Sequence, residues 1–471
     1  MRSGLGVVVT PGRDDHVVKA RSVHRCGECG AESPRWLGRC PACGVWGSLA
    51  EAVVPRARSA APLAAPGAGP VPIGDVERND VDRCPTGIAE LDRVLGGGLV
   101  PGSVTLLVGE PGMGKSTLLL QALGRLAAAG SRCLLIGAEE SPRQVRLRAE
   151  RVGALEPSLL LAGDTELGLV VAHVEATGPD VLAIDSIQAI SDPDRPGTPG
   201  SIAQVRDCAQ ALVRVAKTCG IPVILVGHVT KEGALAGPRS LEHLVDTVLT
   251  FDGDRHHTLR FLHALKHRFG PTTELGLFEM CGDGLVDVPD PSALFLSDRR
   301  LDAPGSVVAP IVQGRRPMLV EVQALVAPTS APMPRRSATG LDASRLPLLL
   351  AILEQHAGIR LGTAEVYASV AGGVRAAEPG VDLAVALAIV SARDGTAMAP
   401  GTVAIGEIGL GGELRQVTQS ARRVAEAARL GFTQVIGPPS LPSAPGLQIA
   451  AACTLREAIG RRFGATGARA A

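Results

Sequence analysis

The stretch "VTLLVGEPGMGKST", Val104–Thr117, decides the fold. It opens with a short run that is apolar at nearly every position. It continues as G-x-x-x-x-G-K-S-T, Gly109 to Thr117, and runs on into "LLLQALGRL". An apolar run of this length reads as a strand buried on both faces, and the segment after it as a helix. The loop between them suits phosphate chemistry. Glycines let backbone N–H groups close round phosphate oxygens, a lysine reaches the outer phosphates, and a hydroxyl ligates Mg²⁺. Gly109, Glu110, Pro111, Gly112, Met113, Gly114, Lys115, Ser116 and Thr117 are therefore the expected ATP-binding residues, with Ser116 on magnesium. The helix that begins there adds its positive N-terminal end.

Further runs of the same kind lie downstream: "RCLLIGA", "VLAIDS" and "PVILVGH". Helical stretches separate them, which predicts an α/β domain with a parallel sheet. Three of these strand ends carry chemistry. Asp185 closes "VLAID", where an aspartate holds the Mg²⁺ shell of a phosphate-loop site. Glu139 and Glu140 follow "LLIGA"; hydrolysis needs a carboxylate to orient or deprotonate water, and Glu139 is the expected one. His228 closes "VILVGH" and is placed to sense a γ-phosphate, with Lys231 just beyond. The plainer readings are a turn aspartate, two solvated helix-start acids and a loop histidine.

A second motif precedes the first. "CGECGAESPRWLGRCPACG" gives C-x₂-C, ten residues, then C-x₂-C. Cys26, Cys29, Cys40 and Cys43 are spaced to hold Zn²⁺ tetrahedrally in a closed, structural site. Both tryptophans of the chain, Trp36 and Trp46, lie here beside Arg25, Arg35 and Arg39. They serve either a DNA or protein contact or the core of a very small module.

The bulk numbers bound the rest. The chain has 471 residues, is 45% hydrophobic and has zero formal net charge. No global field draws it to nucleic acid or membrane, so any polyanion must meet local patches. Aromatics are 2%, too few for an extended base-stacking platform. The ten cysteines hold one cluster and no disulfide framework, which suits a reducing cytosol. The N-terminus lacks the apolar core of a signal peptide, and the longest apolar runs are too short to span a bilayer. A cytoplasmic protein is expected. Arginine is the default cation; the only lysines are Lys19, Lys115, Lys217, Lys231 and Lys266.

Composition suggests a tail over 1–20, the Cys₄ module over 21–50 and an Ala/Pro/Gly linker over 51–75. The ATPase domain follows over 76–290, a connecting segment over 291–345, and a last domain over 346–471. In the last domain "SARRVAEAARLGF" predicts a helix with Val424, Ala427 and Ala428 facing away from the arginines and Gly431 as its cap.

In order, the four-Cys module, "TGIAELDRVLGGGLVPGSVTLLVGEPGMGKST", "AEES", "LAIDSIQ", "VGHVTKEGALAGPRSLEHLVD" and "KHRFG" resemble the bacterial RadA (Sms) family of RecA-like DNA repair proteins. The C-terminal "GGVRAAEPGVDLAVALAIVSA" and "AIGEIGLGGELRQV" are similar to that family's Lon-protease-like domain. The resemblance spans about 24–460 and implies a RecA-like P-loop core between a zinc module and a Lon-like α/β domain. It further implies a homo-hexameric ring ATPase on single-stranded DNA and branched recombination intermediates. Such a ring works as a branch-migration motor beside a RecA-type recombinase.

In this family the motif after the core is usually K-N-R-F-G; here it reads Lys266, His267, Arg268, Phe269, Gly270. The expectation is that Lys266 and Arg268 point to opposite sides of a strand end. One then reaches a neighbour's γ-phosphate, like an arginine finger, and the other DNA phosphate. His267 either adds charge at mildly acidic pH or fills space. Lon proteases use a Ser–Lys pair, but no lysine follows Lys266 and "AAEPGVDLAVAL" has no Ser or Thr. The expected role of the last domain is a non-proteolytic scaffold, with Arg345, Arg360, Arg375, Arg415, Arg422 and Arg423 as candidate DNA contacts. A Lon-type protease and a nucleotide-gated signalling scaffold are the competing classes.

Overall fold

A computed structural model describes residues 21–33, 35–54, 72, 83–228, 241–253 and 258–461. The tail over 1–20, most of the linker, and Lys231 lie outside the described residues.

The phosphate-loop stretch folds as its pattern dictates. Val104–Gly109 is a strand buried at every position, and Lys115–Ala128 is the helix after it. The strand sits inside a nine-stranded sheet. Its order is Gly284–Asp287, Leu275–Cys281, Leu259–His267, Thr247–Gly253, Val104–Gly109, Val223–His228, Val181–Asp185, Cys133–Gly137 and Leu159–Ala162. The last six run parallel, while the first three join as an antiparallel meander. The inner parallel strands are buried on both faces because helices cover both, while the edge strand Leu159–Ala162 is only half-buried. One apolar cluster packs round the Lys115–Ala128 helix and another round Ile202–Cys219. This is a RecA-like P-loop fold.

The Cys-rich module is a three-stranded sheet of Glu32–Ser33, Arg21–Cys26 and Leu49–Val54. Its core is Cys26, Cys40 and Leu49, with Cys29 and Ala31 against them. The tryptophans do not form this core: Trp36 is 61% and Trp46 76% exposed. Cysteine side chains gathered for a metal replace the apolar interior that so small a module lacks.

The C-terminal domain is built on a seven-stranded sheet, ordered Arg336–Thr339, Ala364–Val370, Arg316–Pro328, Ser306–Gln313, Thr402–Ala404, Gln434–Gly437, Gln448–Ala451. Three of its strands come from 291–345, which is therefore not a bare connector. Its Pro and Arg content hid the alternation: Arg316 and Glu321 are buried although charged. Arg316 Nη1 reaches Glu90 Oε2 and the Leu275 carbonyl (3.1 Å), and Nη2 reaches the Val288 and Pro289 carbonyls at 3.1 and 2.9 Å. That arginine fastens the last domain to the nine-stranded sheet. No helix among the described residues is long and apolar enough to cross a membrane.

Candidate nucleotide site

The parallel register sets the site. Gly109 lies opposite His228 and Gly137 opposite Asp185, so the phosphate loop, Glu139, Asp185 and His228 gather at one edge of the sheet. This is the C-terminal edge, where ligands bind in open α/β sheets.

The loop is shaped by close approaches. A Cβ on Gly109 would lie 2.3 Å from the Phe251 carbonyl oxygen, and one on Gly114 2.5 Å from Met280 Cε. Gly112 and Gly114 take φ of +84° and +105°, the left-handed region that glycine enters readily. Lys115 is 3% exposed, and its Nζ donates to the Gly109 and Glu110 carbonyls at 2.8 and 3.0 Å. Burial pushes Lys115 below the ordinary lysine value, while Asp185 and Glu139 oppose the shift.

Burial pushes the Asp185 carboxyl above its ordinary range; the hydrogen bond from Ser116 works the other way. Ser116 and Asp185, the expected magnesium residues, are thus in contact. The two glutamates part company. Glu139 accepts the Ser186 hydroxyl on Oε1, and its Oε2 lies 3.2 Å from His228 Nε2. Glu140 turns to Arg148, whose Nη2 donates to Oε1 at 2.5 Å. The neighbouring helix, Pro142–Arg151, is started by a Ser141–Gln144 capping box, which fixes where the two acids leave their strand. Polar atoms left buried without a partner include Asp185 Oδ1, Gln188 Oε1, His228 Nδ1 and Glu140 Oε2. All four residues lie at or just past the C-terminal ends of neighbouring strands. Buried polar groups need partners, so these residues fit a magnesium nucleotide and its waters.

Lys266 and Arg268 are not part of this group. Lys266 pairs with Val248, and Arg260, beside the phosphate loop, pairs with Gly253. The step from Val248 to Gly253 puts the basic pair about 17 Å down the sheet, toward its opposite edge. The two cations also do not diverge: the strand ends at His267, Arg268 begins the turn after it, and both side chains reach the segment 242–246. Lys266 Nζ donates to the Glu242 and Val245 carbonyls at 2.6 and 2.7 Å, and Arg268 Nη1 pairs with Asp246 Oδ1 at 2.9 Å. Burial and the adjacent Arg268 both push Lys266 below its usual value.

His267 is a bridge. Its Nε2 donates to the Leu95 carbonyl at 3.1 Å, so Nδ1 of the neutral ring accepts from Thr247 Oγ1 at 2.9 Å. Burial pushes it below the ordinary histidine value, which argues against an added charge.

In the zinc module all four Sγ atoms lie within 4.8 Å of one another. The two C-x₂-C turns are alike. Gly30 and Gly44 follow them at φ +73° and +76°, and their N–H groups donate to the Cys26 and Cys40 carbonyls, both at 2.9 Å. Thiolates gathered this closely repel unless a cation sits between them, so the donor set fits Zn²⁺.

Two of the arginines expected at a C-terminal DNA surface are structural. Arg423 is buried and forks onto Glu378 while also donating to the Pro310 carbonyl at 2.7 Å; Arg345 pairs with the buried Asp382. Arg415 is tied to Glu413 at 2.5 Å and Arg422 to the Arg315 carbonyl at 2.6 Å, whereas Arg360 and Arg375 are exposed. The helix Ser420–Arg429 does bury Val424 and Ala427, but Arg423 goes in with them.

Sequence reasoning missed Ser186, Arg148 and Arg260. Ser186 was within reach, being next to Asp185. The others meet the site only through the fold.

Three family models match stretches of the chain. Residues 24–51 match a rubredoxin metal binding domain, 72–234 an AAA domain, and 355–440 subunit ChlI of Mg-chelatase. DNA repair protein RadA of Bacillus subtilis is 45% identical over 90% of this chain and 93% of its own length. DNA repair protein RadA of Mycolicibacterium smegmatis is 46% identical over 94% of this chain and 97% of its own. Among solved structures, a KaiC-like protein from Pyrococcus horikoshii OT3 aligns over 44% of this chain and 100% of its own, at 23% identity and TM-score 0.38, too loose to add to the fold. With such identity over nearly its whole length, the chain belongs to the bacterial DNA repair protein RadA family.

Proposed function

We propose that this chain is a DNA-dependent ATPase of recombinational repair. It acts as a homo-hexameric ring motor on single-stranded DNA and promotes branch migration of recombination intermediates beside a RecA-type recombinase. The observation that carries this reading is the separation of two polar groups on one sheet. Lys115, Ser116, Glu139, Asp185 and His228 gather at the C-terminal edge, and Lys266 with Arg268 lie toward the other. A cation pair so far from its own phosphate loop cannot serve that loop. In a ring the pair, held within one subunit by Glu242, Val245 and Asp246, would serve the next subunit's.

Within one subunit the roles follow from position. The backbone N–H groups from Gly109 to Thr117 and the Lys115 ammonium hold the β- and γ-phosphates. Ser116 and Asp185 hold Mg²⁺, which neutralises developing phosphate charge when bound. Glu139 orients the attacking water and takes its proton, and the Ser186 hydroxyl fixes the carboxylate for that task. His228, in contact with Glu139, senses the γ-phosphate. His267 holds the Lys266–Arg268 turn on Leu95 and Thr247. The last domain is a non-proteolytic scaffold: it has no lysine, and Arg423 and Arg345 are committed to carboxylates within it.

A labelled three-strand exchange intermediate tests the motor. ATP-dependent extension of the heteroduplex, lost with Lys115→Ala, is the expected result. Turnover without any strand movement would leave an ATPase that is not a branch-migration motor.

A further inference from the structure

We propose that Arg260 is a positioning residue for the phosphate loop: it clamps the Met113–Gly114 peptide so that the Gly114 N–H faces the phosphates. The inference rests on reading Gly109–Thr117 as the nucleotide site.

Arg260 comes from the antiparallel meander, 147 residues from the loop position it meets. It is 6% exposed, and its Nε donates to the Met113 carbonyl at 3.2 Å. Its Nη1 donates to the Leu259 carbonyl at 2.8 Å, which holds the guanidinium plane to its own strand. The stem runs through a slot made by its cross-strand partner. Gly253 lies opposite Arg260, and a Cβ there would fall 2.7 Å from Arg260 Cδ, 2.9 Å from the Leu259 carbonyl oxygen and 3.3 Å from Nη1.

The consequence lies in peptide geometry. In a trans peptide the C=O and the following N–H point opposite ways. Fixing the Met113 oxygen on a buried cation therefore aims the Gly114 N–H away from Arg260, across the loop. Gly112 and Gly114, both left-handed, give the backbone on either side of Met113 unusual freedom to turn. The helix that begins at Lys115 restrains it from one side, and on the other the buried Met113 makes only a long N–H hydrogen bond to the Glu110 carbonyl at 3.4 Å. A loop that must present N–H groups to an anion gains from having one peptide locked before the anion arrives.

The guanidinium acts on the loop that holds the β-phosphate, so its loss weakens MgADP and MgATP alike. Arg260→Met should raise the MgADP Kd and the MgATP KM by the same factor, about tenfold or more for a lost hydrogen bond to a cation. The kcat should fall by a smaller factor. Arg260→Lys, which keeps the charge but not the fork, should recover part of the affinity. Gly253→Ala, which crowds the stem and the Leu259 carbonyl that holds it without touching the loop, should reproduce the defect. Unchanged MgADP affinity in both Arg260→Met and Gly253→Ala, in protein that retains its oligomer mass, would overturn the proposal. Lys115→Ala run in parallel separates the two readings. If it keeps full turnover, the nucleotide site itself is misassigned; if it is dead while Arg260→Met binds normally, only the clamp fails.

Discussion

His228 Nε2 and Glu139 Oε2 meet 3.2 Å apart at the C-terminal edge of the sheet, while the adjacent acid Glu140 is held by Arg148. Two neighbouring glutamates thus have different employment, one facing the nucleotide loop and the other a helix. Glu139→Gln should cut ATP turnover by about a hundredfold or more, the span of a lost general base, with ATP binding retained. Glu140→Gln, which leaves that base in place, should lower turnover by less than about threefold. Turnover assays with a fluorescent-nucleotide binding control check both, and the reverse ranking would reassign the base.

Asp185 predicts a trade of stability against function. Burial holds its carboxyl above the ordinary range in the folded state. A group whose folded pKa is raised stabilises the fold when protonated, below its unfolded value. That contribution disappears as pH rises through the folded value, and at neutral pH the buried anion is destabilising. Without nucleotide, Asp185→Asn should therefore melt higher than the parent at neutral pH, by about 1 to 4 °C. The gap should close as pH falls and the native carboxyl takes up its proton. Turnover in magnesium should drop about a hundredfold or more. Scanning fluorimetry across pH reads the first effect.

Zinc removal has a local reporter. Both tryptophans of the chain lie in the 21–54 module and are exposed. A strong chelator should release about one zinc per chain and change the tryptophan emission, while the ATPase domain keeps binding nucleotide. Metal analysis that finds no zinc in fresh protein contradicts the module's assignment.

Trans action by the basic pair is testable by mixing. Lys266→Ala alone should lower turnover on the order of a thousandfold, the scale of a lost finger. Mixed with Lys115→Ala subunits, it should regain activity, because some interfaces then join an intact loop to an intact Lys266. No recovery at any ratio would place Lys266 in a structural role. His267→Asn should stay within about twofold, since an amide also offers a donor to Leu95 and an acceptor to Thr247.

Much of this was legible in the chain. The apolar run before Gly109, the Asp185 strand end and the paired C-x₂-C turns each carry their structure in local spacing. What the sequence hid depends on distant partners. Arg260 looks like any strand arginine until Gly253 opens a slot for it. Arg423 precedes Val424 on its helix and reads as one more solvent-facing cation; only Glu378, brought up by a separate turn, makes its burial possible. Lys266 and Arg268 point the same way because the strand stops at His267 and both side chains find partners in 242–246, a segment the spacing alone does not bring near. The exposed tryptophans reversed the usual rule because cysteines, not aromatics, fill the module's centre.

Assignment as a DNA-dependent ATPase stands or falls on ATP turnover by the full chain with and without single-stranded DNA. It predicts turnover that rises on adding single-stranded DNA and vanishes with Lys115→Ala under both conditions. Turnover indifferent to DNA, or surviving in Lys115→Ala, would contradict it.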